Sequence, residues 1–173
     1  MALPSKRAIR VRIVFAVIGL IVGFSIPICF ASNAYRNYNV ALWGALSGCF
    51  AATTLWLHVK YSRGSLQSWT PRLRTFMLTG CFVQLAGVCG IVTYITLGIA
   101  LRQSLTPYDD GYYLTSVWCF MTWKWGFMLF WYSRSYLRIL TQSEYKPLRS
   151  SVHGQVSQEC GCSQVEAASP ATA

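Results

Sequence analysis

The chain has 173 residues, of which 54% are hydrophobic and only 12% charged, with a formal net charge of +10. An ordinary soluble domain carries about 25% charged residues, so this balance excludes one and points to a bilayer. The basic excess flanks apolar runs and builds no groove, which removes nucleic acid as a partner.

Lys6, Arg7, Arg10 and Arg12 precede the first apolar run, Ile13–Ala31. The start could pass for a secretory signal, with Cys29-Phe30-Ala31 as a small-x-small cleavage site. A signal's apolar region is about 7–15 residues, and this run is longer. A retained helix over 13–31 is therefore expected. The next runs predict helices over 40–59, 75–101 and 112–133, each near the roughly 20 residues that a bilayer core of about 30 Å requires. The fold class is an all-α integral membrane protein with four transmembrane helices, one domain over 1–143, and a disordered tail over 144–173 rich in Ser, Gln, Ala and Gly.

Lys60, Arg63, Arg72 and Arg74 lie between helices 2 and 3, and Arg134, Arg138, Lys146 and Arg149 follow helix 4. The two opposite loops hold only Arg36 and Arg102, with Asp109 and Asp110 beside the latter. That asymmetry predicts cytosolic termini. Gly19-x-x-x-Gly23 and Gly44-x-x-x-Gly48 mark close helix packing, within one bundle or between copies in a homo-oligomer. Five cysteines lie in the helices and two, Cys160 and Cys162, in the tail, so no disulfide framework is expected.

Lys124 stands inside "SVWCFMTWKWGFMLFWYSRSY", residues 116–136. It is about 18 Å from either end of its helix at 1.5 Å per residue, too far for easy snorkelling. No Asp or Glu exists in the four predicted helices. Its partner is backbone, water or an anion arriving from outside. Trp123 and Trp125 are too central for an interface belt, and a lysine among flat rings suits a flat apolar ligand with acidic groups. His58 closes helix 2, as ligand, proton carrier or interface cap. Gln84 and Tyr94 are expected to hydrogen-bond between helices. No nucleophile–base pair, carboxylate pair or metal-ligand spacing is present, so an enzyme is not expected.

"RQSLT…YYLTSVWCFMTWKWGFMLFWYSRSY", with "WLHVKY" and "SWTPRLRTFMLTG" before it, resembles the heme-responsive-gene family of heme transporters over roughly residues 50–140. The resemblance implies a four-helix carrier of heme into the cytosol from endosomes, lysosomes or across the plasma membrane. It matches His58 to the family's helix-2 histidine, and Tyr132, Ser133, Arg134, Ser135 and Tyr136 to the motif after helix 4. It implies that heme, the cargo, meets His58, Lys124, Trp125, Tyr132, Arg134 and Tyr136, with no other metal. The family's histidine before "QSLT" is Arg102 here, which cannot ligate iron. Tyr108, Tyr112 and Tyr113 are the substitutes for first capture, since a phenolate can be an axial ligand. "YKPL", Tyr145 to Leu148, fits a sorting signal read by adaptor proteins as an extended peptide. The rival expectation is a tetraspan adaptor that carries nothing, with Lys124 paired to a partner's acid.

Overall fold

The computed structural model describes residues 5–32, 35–104 and 111–165, with side chains as far as 142. It is helical throughout these residues apart from turns and short loops. Helix α1 runs Lys6–Phe30, α2 Tyr38–Ser62, α3 Thr70–Ala100 and α4 Tyr112–Val165, with a 3-10 turn, Gln67–Trp69, before α3. Residues 1–137 and 138–173 form two compact units.

Helices α1 and α2 and the Gln67–Ala100 segment are each long and apolar enough to cross a membrane. The apolar part of α4 reads as less hydrophobic because indole and phenol rings and Lys124 replace aliphatic residues. Every helix begins or ends beyond its apolar run. Backbone hydrogen bonding does not stop where the hydrocarbon does, so the basic first turn of α1 is already helical, capped by the Ser5 side chain on Arg7 N. Asn37 caps α2 in the same way, accepting from Val40 N at 3.1 Å. The tail departs most from expectation. Instead of a disordered segment from 144, the backbone is helical to Val165. Little in that segment opposes helix apart from Pro147 and two glycines, and a nucleated i→i−4 ladder gains one bond per residue.

Helices α2 and α3 both end in a Schellman arrangement. Ser65 N bonds Lys60 O and Gly64 N bonds Tyr61 O, with Gly64 at φ +69°. Gln103 N bonds Gly98 O and Arg102 N bonds Ile99 O, with Arg102 at φ +45° where glycine is usual. Arg102 is exposed, and its backbone turns the chain out of α3.

The helices pack through small residues. Gly23 of α1 lies against the backbone of Gly44 and Gly48 of α2, so this approach is within one chain. Gly19 instead faces the ring of Trp125 on α4. The α3 seam follows a spacing near 3.5, with Leu73, Gly80, Val83, Gly87 and Gly90 all buried. Gly80 admits Gly126 and Phe130 of α4, Gly87 admits Trp123, and Gly98 admits Tyr113. Polar bonds tie α2 to its neighbours. Tyr94 donates to Asn39 at 3.4 Å, as expected across helices, whereas Gln84 bonds Gly80 O of its own helix. Thr122 reaches Trp43 O of α2 at 3.1 Å. Thr122→Val should lower stability by about 0.6–1.7 kcal/mol, the range for such bonds in membranes. An unchanged Tm in detergent would show that the bond contributes nothing.

Candidate functional site

Two polar clusters lie among the apolar helices, and the sequence-predicted residues divide between them. The first is at the end of the bundle where α1 begins and α2 ends. His58 is 1% exposed and Tyr136 fully buried, although both carry polar atoms. They satisfy each other, with His58 Nδ1 and Tyr136 Oη at 2.8 Å. Tyr132, one turn before Tyr136, sets its ring edge to face against His58 at 4.5 Å. Tyr61, three residues after His58 and hence on the same helix face, stacks on Tyr136 at 4.1 Å.

Arg12 of α1 closes this cluster. Its guanidinium sits 4.8 Å from the centre of the Tyr132 ring, close enough for its charge to act on the Tyr136 hydroxyl. Sequence reasoning assigned Arg12 to topology and did not single out Tyr61. A signal existed for both: Arg12 directly abuts the apolar run, and Tyr61 is at i+3 from His58. Arg134, by contrast, is exposed.

The chemistry available here is specific. A histidine that ligates metal through Nε2 must carry its proton on Nδ1 and donate it to an acceptor. Tyr136 Oη stands at the right distance to be that acceptor. The cation of Arg12 over the face of Tyr132 offers a partner for an acidic group of a planar ligand.

The second cluster is at the middle of α4. Lys124 Nζ lies 4.8 Å from the ring centres of both Phe15 and Trp125. Trp125 is buried, packed with Ala16 and Ala51. A cation at the centre of a membrane helix costs about 2.5–3.5 kcal/mol. Two ring contacts return about 0.5–2 kcal/mol each, enough to offset most of that cost without an acid. Lys124 borders a cavity of ≈130 Å³ walled by Ile18, Val22, Trp118 and Met121, with Ser47 at one side. A wider recess of ≈360 Å³ between α2 and α3, lined by Trp43, Phe50, Phe82 and Thr79, has no charged side chain.

His58 and Lys124 therefore belong to different stations. The α4 residues Lys124 and Tyr136 are separated by about 18 Å along the helix axis. At the opposite end, Tyr112 stacks on Tyr94 at 6.0 Å and Tyr113 packs on Gly98, both half-buried. Tyr108 and the side chains of Tyr145 and Leu148 lie outside the described residues. A separate belt at the α2–α3 turn holds Trp69 beneath Arg72, at 4.3 Å, and against Trp56, at 4.9 Å.

Several membrane-length apolar helices define a multi-pass membrane protein. Residues 73–125 match the family described as haem-transporter, endosomal/lysosomal, haem-responsive gene. The chain is 25% identical over 141 residues to the heme transporter hrg-1 of Caenorhabditis elegans, covering 79% of this chain and 72% of that protein. No solved structure matches it. The two matches support the haem-responsive-gene family for this chain, a family of heme transporters and not of enzymes.

Proposed function

We propose that the protein carries heme from the lumenal or extracellular side into the cytosol, with both termini cytosolic. The observation that carries this reading is the buried His58–Tyr136 pair, closed by Tyr132 and by the Arg12 cation. It supplies what heme asks for: an imidazole for iron, a fixed acceptor behind it, and a cation for a propionate. The basic flanks support a cytosolic position for this cluster. Tyr112 and Tyr113 then stand at the entry and Lys124 and Trp125 midway, with Arg134 and Tyr136 at the exit. Several weak stations in series suit a carrier that must also release its cargo. The family description supports an endosomal or lysosomal membrane.

A heme-synthesis-deficient yeast strain expressing the protein at its surface should grow on low external hemin. Tyr145→Ala, which disables the sorting motif, should raise both surface level and growth. If neither form supports growth at measured surface expression, the transport reading fails.

A further inference from the structure

All five acidic residues of the chain are Asp109, Asp110, Glu144, Glu159 and Glu166. None falls between residues 1 and 108 or between 111 and 143, the stretches that build the bundle around Lys124. The charge of Lys124 therefore has no counter-ion within α1, α2, α3 or the membrane part of α4. It is held instead by the faces of Phe15 and Trp125. Ring faces tolerate an ammonium without neutralising it. The ammonium keeps its capacity to take an anion, and it does so at the edge of a cavity whose walls are apolar apart from Ser47.

The size of that cavity restricts what enters. Pockets that enclose whole drug-sized molecules run to about 300–1,000 Å³. At ≈130 Å³ this one falls well short, so a macrocycle does not fit inside it. A short alkyl chain ending in a carboxylate does: its methylenes meet Ile18, Val22 and Met121, and its head meets Lys124. Ser47 adds a hydroxyl donor at the same cavity.

We infer that Lys124 and its cavity form an anion site for one carboxylate-tipped side chain of a planar apolar ligand, whose ring stays outside the cavity. The site reads the acid and makes no use of a metal in the ring. That distinguishes it from the His58 cluster, which offers a ligand for iron. It rests on the heme reading for the identity of the ligand and stands on the lysine, rings and cavity for its chemistry.

The full-length protein in lipid nanodiscs is titrated with hemin, hemin dimethyl ester and metal-free protoporphyrin IX, with tryptophan quenching and the Soret band recorded. Lys124→Met removes the charge and keeps an apolar stem, so it does not burden insertion. Lys124→Arg keeps the cation and serves as the rescue. Lys124→Met should weaken hemin and protoporphyrin IX by about tenfold or more, the scale of one charged hydrogen bond, and leave the diester unchanged. Lys124→Arg should restore most of the loss. His58→Ala should weaken hemin and the diester and spare protoporphyrin IX. Equal losses for acid and ester in Lys124→Met, or no loss for either, would overturn the anion site. A wild type with no Soret shift, whose protoporphyrin IX binding still requires Lys124, would retain the anion site and reject heme as the cargo.

Discussion

His58→Ala is expected to abolish the Soret shift on adding hemin and to end hemin-dependent growth, at unchanged surface level. The imidazole is the only ring nitrogen base in the buried cluster, and its neighbours are phenols and a guanidinium. Tyr136→Phe is the sharper variant, because it leaves the imidazole and removes only its 2.8 Å partner. Partners that orient a ligating histidine are worth about 10–100-fold in metal affinity, and a loss in that range is expected. Arg12→Gln should add a smaller loss, because it removes one charge from a cluster that keeps its ligand. Full hemin affinity in Tyr136→Phe would mean that the pair is a structural contact between α2 and α4 and not part of a site.

Gly23→Leu should prevent α1 from docking. Any Cβ at position 23 would run into the backbone of Gly48, which cannot rotate aside as a side chain can. Overpacking typically costs about 1–3 kcal/mol and more where nothing can yield, a large share of the stability of a small domain. The expected result is loss of the monodisperse peak in detergent and a steep fall in Tm. Gly19→Ala is the comparison: its Cβ meets the far end of the Trp125 side chain, which can turn where a backbone cannot, so a milder effect is expected. Near wild-type Tm in Gly23→Leu would show that α1 and α2 are not in backbone contact at this point.

Which of these features could be read without a structure follows from how local their signals are. The helices were legible because apolar run length is a local property, and the residues of each face because i, i+3 and i+4 neighbours share one. Tyr132 and Tyr136 came instead from the resemblance to a family motif, which also raised His58 from a helix end to a candidate ligand. The pairing of Lys124 with Phe15 was not legible, because it joins two helices about a hundred residues apart and depends on how deep each is set. Arg12 was misjudged for a related reason: at a membrane edge a basic residue fits the topology rule equally well whether or not it touches a site. The α3 glycines gave no close-packing signal because Gly80, Gly87, Gly90 and Gly98 are seven, three and eight residues apart, and none forms a pair four apart. The helical tail ran against its composition, which lacks an apolar face but does not forbid helix.

Helix α1 buries only Ala16 and Gly23, where α2 buries nine residues and α3 six. Yet it supplies Arg12 to one station and Phe15 to the other. Its tight attachment is Gly23 on Gly44 and Gly48, one turn before Pro27, which interrupts the helix's own ladder. Arg12 is about 16 Å from that attachment along the axis, and Ala16 is the single buried residue between them. Because Arg12 and Phe15 share one helix, any displacement of the first turns of α1 would part Arg12 from Tyr132 and Phe15 from Lys124 together. Two stations far apart on α4 are thus both reached by one helix, and by the one that buries the fewest of its own residues among α1, α2 and α3.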